Sequence, residues 1–117
     1  MSFGTSKSLI STLPWPFVVQ LLNTGLSRPF LFRHGQVVST PGALELYELA
    51  QRDQLADLSQ HCRGLWGNIC DEDAQENHHS LREGYRLLSS YGVGGERVWL
   101  ITEADRSIST FLLPSEY

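Results

Sequence analysis

The carboxy-terminal third of the chain constrains the fold most, because β-forming runs alternate there with short turns. Glycines crowd the first turn, Ala-Asp-Arg-Ser forms the second, and Pro114 stops the last run. Apolar runs bounded by such residues are typical of antiparallel strands joined by hairpins. The sequence therefore predicts a three-stranded meander with strands at 86–91, 97–103 and 108–113 and turns at 92–95 and 104–107.

Two helices are predicted before the meander from their starting residues and their apolar spacing. Thr40 is suited to cap a helix with its hydroxyl, and Pro41 fits the first helical position. The apolar face that follows has helical spacing and consists of Ala43, Leu46, Tyr47 and Ala50. A shorter helix begins at Asp53, ends before Gly64 and carries the stripe Leu55, Leu58 and Cys62.

A third helix is predicted from about residue 71 to residue 83, with Gly84 as its C-terminal cap. Acidic residues crowd its first turns, where they complement the positive end of the helix dipole. The helix is otherwise polar, so we expect it to lie on the surface. Its narrow apolar stripe consists of Ala74, His78, Leu81 and Tyr85.

The first 29 residues are predicted to form an irregular lead-in. Pro14, Pro16 and Pro29 each remove a backbone donor and disfavour helix at the residue before them. Two of these prolines interrupt the apolar stretch at 8–22, so we do not expect this stretch to be a signal peptide.

Composition and charge bound the class of protein. With 117 residues, 41% of them hydrophobic and 19% charged, the chain is expected to form one domain over 1–117. A net charge of −4 gives no general reason to expect nucleic-acid binding.

Residues 30–32 and 36–38 flank a bend at Gly35 and predict a short strand pair. We therefore expect an α+β fold in which short helices pack on a small antiparallel sheet.

Several motifs from residue 32 onward form a distinctive pattern. The closing block is the longest, with Ile-Thr-Glu-Ala-Asp-Arg-Ser at 101–107 and Leu-Leu-Pro-Ser-Glu-Tyr at 112–117. The other motifs are Gly-Gln-Val-Val at 35–38, Thr-Pro-Gly-Ala-Leu-Glu at 40–45, Trp-Gly at 66–67, Glu-Asp at 72–73 and Leu-Arg-Glu-Gly at 81–84. On these residues the chain resembles, over 30–117, a family of small bacterial proteins carried by plasmids and integrative elements.

The resemblance implies a mobile-element context and a cytoplasmic bacterial location, and it implies no reaction. At Leu65 the chain departs from the family pattern, which has an aspartate before the tryptophan. Any role of that carboxylate is therefore absent here.

Few residues point to catalysis or to a metal. Cys62 and Cys70 do not form a Cys-x-x-Cys pair, and we expect both to be reduced thiols. Together with His61, His78 and His79 they match no zinc-ligand spacing. Acidic neighbours disfavour a reactive thiol at Cys70, while Cys62 lies on an apolar stripe. We therefore expect no catalytic residue, no metal and no cofactor.

A polar set offers the main candidate binding surface. If the start of the third helix and the tip of the last hairpin share one cleft, the set could bind a ligand or do acid–base work. Otherwise its members are helix-dipole partners and turn residues, with Arg106 in a salt bridge inside the domain. Trp66 has two similar interpretations, as a plug of the core or as an exposed anchor for a partner. The members of the polar set are Glu72, Asp73, Asn77, Glu103, Asp105 and Arg106.

The leading functional prediction is a non-enzymatic module that binds another protein. The lack of a catalytic set, the acidic balance and the resemblance favour it. One alternative is a small ligand-binding domain or enzyme that uses the polar set. Another is nucleic-acid binding through an arginine patch formed by Arg28, Arg33, Arg82, Arg86 and Arg97. No membrane partner is expected, and an exposed strand edge leaves room for a homodimer.

Overall fold

The structure is a computed structural model that describes residues 29–117. Helices precede the meander in the chain, and one short strand precedes the helices. In chain order the elements are β1 (Gln36–Ser39), α1 (Pro41–Ala50), α2 (Gln54–Cys62), α3 (Asp71–Glu83), β2 (Leu87–Val93), β3 (Glu96–Thr102), β4 (Ile108–Leu112) and a short 3-10 helix (Pro114–Glu116).

The predicted meander is confirmed, with strand ends that shift by a residue or two. β2 pairs antiparallel with β3, and β3 pairs antiparallel with β4. The first turn is shorter than predicted, because only Gly94 and Gly95 lie between the two strands. Both glycines have positive φ angles, 58° and 82°, which a two-residue hairpin turn of this kind requires.

A fourth strand joins the sheet in a direction that the sequence did not predict. β1 pairs in parallel with β4, and the strand order is β1-β4-β3-β2. The predicted strand pair between 30–32 and 36–38 is therefore wrong, since residues 30–32 form no strand. The N–H of Gln36 donates instead to the carbonyl of Ser107 (2.9 Å), which leads the chain onto the outer edge of β4. Pairing there satisfies an edge that would otherwise stay open.

The α+β class is confirmed, and the parallel strand makes the sheet mixed. Because alternate residues of a strand face opposite sides, one side of the sheet receives α1 and α2. The predicted apolar faces of both helices are confirmed by their burial. The core between the helices and the sheet consists of Ala43, Tyr47, Leu58, Cys62, Tyr91, Val93, Val98, Leu100 and Phe111.

A buried carboxylate joins α1, α2 and β2. The Tyr47 hydroxyl donates to Asp57 Oδ2 (2.7 Å), and Arg52 Nη2 lies 2.8 Å from Asp57 Oδ1. Arg52 also donates to the carbonyl of Gly92. A carboxylate removed from water needs such partners. Burial and the hydrogen bond to Asp57 raise the pKa of Tyr47 well above its ordinary value, so its hydroxyl remains a donor.

α3 has the predicted limits and the predicted glycine cap, but its inner side is more polar than expected. Asn77 and Ser80 are buried, whereas His78 and Tyr85 are exposed. The predicted apolar stripe is therefore wrong at His78 and Tyr85. The reason is that α3 packs beside β2, where backbone groups must find polar partners.

The predicted lead-in lies outside the described residues except for Pro29, and Arg28 of the predicted arginine patch lies there too. The assignment of the whole chain to one domain accordingly stays a prediction. Over residues 29–117, no helix is both long enough and apolar enough to cross a membrane.

Trp66 lies in the loop between α2 and α3 and has only 6% of its surface exposed. Its ring contacts those of Phe32, His61 and His78, with centroid distances of 6.4, 5.8 and 6.5 Å. Its indole nitrogen has no hydrogen-bond partner among the described residues. The interpretation of Trp66 as a plug of the core is confirmed, and the side chain offers no exposed anchor.

Replacing Trp66 by alanine is expected to lower the free energy of unfolding by about 3–5 kcal/mol, because a buried indole is lost and a cavity remains. Urea denaturation followed by circular dichroism measures the change. Leu49→Ala is the control, since Leu49 is 75% exposed and its truncation is expected to stay within about 0.5 kcal/mol. An unchanged unfolding midpoint in Trp66→Ala would contradict the placement of this side chain in the core.

Candidate functional site

A groove of about 300 Å³ lies on the sheet face that turns away from α1 and α2. Leu88, Trp99 and Ile101 form its apolar floor, since they alternate with core residues along β2 and β3. Side chains of α3 line one side, and Arg86 and Tyr117 line the other. The meander therefore buries one face under helices and leaves a concavity on the other.

One wall of the groove is acidic. Asp73 and Glu76 lie three positions apart in the first half of α3, so they share one helix face. Both residues are exposed. Neither takes part in an ion pair within the described part of the chain. This wall consequently carries two negative charges that have no ion-pair partner among residues 29–117.

The opposite wall holds a cation whose charge is already matched. Arg86 Nη1 donates to the Tyr117 hydroxyl (2.6 Å), and Arg86 Nε lies 3.4 Å from Glu103 Oε1. The hydrogen bonds to Tyr117 and Glu103 raise the pKa of Arg86. The Tyr117 ring in turn contacts Trp99 at a centroid distance of 5.6 Å. Since Glu103 compensates Arg86, the groove keeps the net negative charge of Asp73 and Glu76.

The predicted polar set is only partly brought together. Asp73 and Asn77 line the groove. Glu103 does not line it, but it forms an ion pair with Arg86, which does. Glu72 is exposed on α3 and does not line the groove. The set therefore does not converge on one pocket.

The two remaining members of the set stabilise the turn between β3 and β4. Asp105 Oδ1 accepts the N–H of Ser107 (3.0 Å), in agreement with its predicted role in the turn. The predicted salt bridge of Arg106 is wrong, because its guanidinium donates to the carbonyls of Tyr85 (2.7 Å) and Ser80 (3.1 Å). These carbonyls lie in the last turn of α3 and just beyond its end, and the planar guanidinium has enough donors for both of them.

Asn77 is held by α3 against the outer edge of β2. Its Nδ2 donates to the carbonyl of Leu88 (2.7 Å), and its Oδ1 accepts the N–H of Leu88 (3.1 Å). The side-chain amide thus takes the place of a peptide group in a neighbouring strand. Asn77 lines the groove and also seals the edge of the sheet.

The loop before α3 continues this seal. The N–H of Ser90 donates to the carbonyl of Trp66 (3.0 Å), and the N–H of Asn68 donates to the carbonyl of Ser90 (2.6 Å). Gly67, with a φ of 76°, permits the approach, because a Cβ there would collide with the Ser90 carbonyl. Arg52 donates to the next outward carbonyl, that of Gly92, so partners occupy this edge at three successive outward positions.

A second polar arrangement lies in the core. His61, fully buried in α2, has ring nitrogens 2.6 Å from Ser89 Oγ and 2.8 Å from Thr102 Oγ1. Thr102 Oγ1 lies 2.7 Å from Ser109 Oγ, whose hydroxyl donates to the carbonyl of His34 (2.7 Å). We call this arrangement the His61 chain. It joins α2 to three strands and to the segment before β1.

Only one direction of donation satisfies the His61 chain. A carbonyl can only accept, so Ser109 donates to His34 and accepts from Thr102. Thr102 then accepts from the Nε2–H of His61, which leaves Nδ1 to accept from the hydroxyl of Ser89. The neutral imidazole with its proton on Nε2 is the form that fits.

A hydroxyl beside an imidazole is the pair that nucleophilic catalysis requires, but here the pair is inaccessible. His61 and Ser89 are both 0% exposed, and neither lines the groove. Burial, followed by the nearby His34 and Arg106, lowers the pKa of His61 to about 3. Burial also raises the pKa of the Cys62 thiol to about 12. In residues 29–117, no three His, Cys, Asp or Glu side chains are placed to hold a metal.

The described arginines of the predicted nucleic-acid patch differ in their surroundings. Arg86 is held in the groove wall, and Arg97 Nη1 donates to the carbonyl of Asn68 (3.3 Å). Arg33 and Arg82 are exposed. Arg86 and Arg97 are thus already engaged inside the fold.

Sequence reasoning found two side chains of the groove but not its floor. The alternation along β3 was the available signal, because it sets Trp99 and Ile101 on the side opposite Val98 and Leu100. No sequence signal predicts the His61 chain, whose hydroxyls come from three different strands.

Comparisons with protein-family models, with curated proteins and with solved structures find no match for this chain. Membership in the plasmid-borne family is neither supported nor opposed by them and stays a prediction. The residues and their geometry are therefore the grounds for proposing a function.

Asn77→Leu is expected to lower the free energy of unfolding by about 1–3 kcal/mol, because the N–H and carbonyl of Leu88 lose their partner. Urea denaturation at pH 7 measures the loss. Gln75→Leu, at an exposed position of the same helix, is the control and is expected to stay within about 0.5 kcal/mol. Equal stability of the two variants would show that Asn77 does not seal the edge.

His61 is expected to make stability depend on pH. Its pKa is about 3 in the folded state and near 6.5 when unfolded, so the unfolded chain binds the proton first as pH falls. The contribution of His61 is complete above about pH 6.5 and is lost as pH falls from there towards 3. Between about pH 6 and 4.5, the wild type should lose about 2 kcal/mol more than His61→Gln, as measured by urea denaturation.

His78→Gln, at an exposed position, is the control and should keep the wild-type pH dependence. Parallel stability curves for the wild type and His61→Gln would refute the neutral buried imidazole. If His61→Gln does not fold, NMR of the wild type gives the answer, because the His61 ring signals should not titrate between about pH 7.5 and 4.5.

Proposed function

We propose that this protein is a non-enzymatic interaction module whose groove binds a short segment of another protein. The segment carries a lysine or arginine beside an aliphatic or aromatic side chain. The observation that carries the proposal is an apolar floor beside two carboxylates that form no ion pair within the described region.

The size and lining of the groove favour a side chain as the occupant. A volume of about 300 Å³ is at the lower limit for small-molecule sites, so it suits one or two side chains better than a cofactor. Trp99 and Leu88 in the floor are only half-buried, and an apolar side chain placed on them would remove further apolar surface from water.

Charge selects a basic segment. Asp73 and Glu76 lie on the wall of the groove without an ion pair in the described region, whereas Arg86 is compensated by Glu103. A cation between the two carboxylates would therefore gain attraction without displacing an existing partner. Complementary charges of this kind also speed encounter and reject acidic competitors.

The alternatives have less support. An enzyme or ligand-binding domain built on the polar set needs its members in one pocket, and only Asp73 and Asn77 line the groove. A nucleic-acid surface gains nothing from the acidic wall, since it would repel phosphates. The resemblance to plasmid-borne proteins adds the expectation of a cytoplasmic bacterial protein from a mobile element.

Peptide display on the immobilised full-length protein tests the proposal. Enriched peptides are expected to contain lysine or arginine next to an apolar residue. For a synthesised peptide from the enriched set, Asp73→Lys with Glu76→Lys should raise the dissociation constant by about tenfold or more, since 1.4 kcal/mol of lost attraction suffices. The matched control is Asp71→Lys with Glu72→Lys, which changes the charge of the same helix by the same amount but outside the groove. This control should change the dissociation constant by less than about threefold.

Enrichment of acidic peptides, or equal loss in both double variants, would overturn the proposal. A photoreactive benzophenone residue in place of Tyr117, an exposed aromatic residue that lines the groove and leaves both carboxylates intact, identifies the occupant directly. Cross-links to the added peptide support the proposal, whereas cross-links only to residues 1–28 of the same chain or to a second copy would refute it.

A further inference from the structure

The two edges of the sheet differ in how far other described residues cover their outward backbone groups. At the β2 edge, Asn77 and the loop 66–68 occupy the outward backbone groups at 88 and 90, and Arg52 occupies the carbonyl at 92. At the other edge lies β1, whose only strand partner among the described residues is β4. A strand edge without a cover is a template for pairing with another strand.

The outward groups of β1 follow from its hydrogen bonds to β4. The N–H of Gln36 donates to Ser107 and the N–H of Thr40 donates to Phe111, at 2.9 and 3.0 Å. Backbone groups of alternate residues face alternate sides of a strand, so those of Val37 and Ser39 face away from β4. No backbone hydrogen bond within 29–117, other than those of the strand ladder, involves them.

The sequence of β1 also lacks the usual protection of an edge. Gln-Val-Val-Ser contains no charge and no proline, and two of its four residues are β-branched valines. Natural proteins protect open edges with lysine, proline, bulges or very short strands. β1 is short, with four residues, but it holds no lysine and no proline. A pairing surface is the consistent interpretation.

We propose that two copies of this chain pair through β1, antiparallel about a two-fold axis at Val38. Val37 of one copy then pairs with Ser39 of the other and exchanges both N–H···O bonds with it, and the symmetric pair does the same. Val38 faces its counterpart in the intervening close pair, where side chains contact most directly. The two four-stranded sheets become one continuous sheet.

Charge at the ends of β1 favours a second copy in this orientation. Arg33, which is exposed, precedes the strand, while Glu116 lies beyond its other end, where its carboxylate accepts from the Thr40 hydroxyl (2.7 Å). An antiparallel pair brings the basic end of one strand towards the acidic end of the other. A parallel pair would set like ends together.

The test introduces a charge at position 38, because the two-fold axis then places two like charges opposite each other in the dimer. Sedimentation velocity of the full-length protein from about 1 µM to 1 mM should show a monomer–dimer equilibrium, the range expected for a short interface. Val38→Glu and Val38→Lys should each raise the dissociation constant by about tenfold or more, because two like charges then lie opposite each other. Mixing the two variants should restore dimers as a heterodimer.

Thr110→Glu is the matched control, since Thr110 lies beside Val38 on β4, one strand inside the edge. It should shift the dissociation constant by less than about threefold. If the Val38 variants do not fold, Ser39→Pro serves instead, because it removes an N–H that faces away from β4 at a position outside the apolar core, and it should abolish dimers.

A full-length protein that stays monomeric at every concentration would overturn the inference. So would dimers that survive the Val38 variants, or equal loss in Thr110→Glu. This inference does not rest on the peptide-binding proposal, because the groove is built on α3, β2 and β3. Asp73→Lys with Glu76→Lys should leave the dimer unchanged, so the two proposals can fail separately.

Discussion

The His61 chain is the interaction on which the described fold most depends. A buried imidazole and three buried hydroxyls are costly unless each has a partner, and the four contacts have only one consistent direction. That direction requires Thr102 to lie opposite Ser109 in the β3–β4 ladder and requires the carbonyl of His34 at its end. The rings of Phe32 and Trp66 pack against the same imidazole, at centroid distances of 5.2 and 5.8 Å. The His61 chain thus ties α2 and the meander to the segment before β1. The ring contact between His61 and Trp66 adds the loop between α2 and α3.

The two edges of the sheet underlie the two surfaces for which we propose partners. α3 uses Asn77 to close the β2 edge, and this placement sets Asp73 and Glu76 beside the floor formed by Leu88 and Trp99. The groove is therefore a consequence of how the edge is sealed. The β1 edge has no such helix in the described part of the chain, and no backbone hydrogen bond there, apart from the strand ladder, involves Val37 or Ser39. Both proposals thus rest on one difference between the edges of the four-stranded sheet that residues 29–117 form.

Local chemistry allowed much of the fold to be predicted. Thr40 caps α1 through the N–H of Ala43 (3.2 Å), and Gly84 ends α3, because caps and left-handed turns depend on a few neighbouring residues. The groove was predicted only in part, since Asp73 and Asn77 share one helix but the floor comes from strands. Arg106 was misassigned to a salt bridge, because its carbonyl partners at the end of α3 are set by packing.

The sequence by itself determined the helices, the meander and the placement of acidic residues in the first turns of α3. These depend on hydrophobic period, turn residues and composition, all of which act over a few positions. Only the tertiary structure decided the parallel pairing of β1, the burial of His61 and the closing of the β2 edge. Each of these joins groups that lie far apart in the chain, as Asn77 and Leu88 or His34 and Ser109 do. Polar groups need hydrogen-bond partners inside the protein only when folding removes them from water, and folding also brings those partners together.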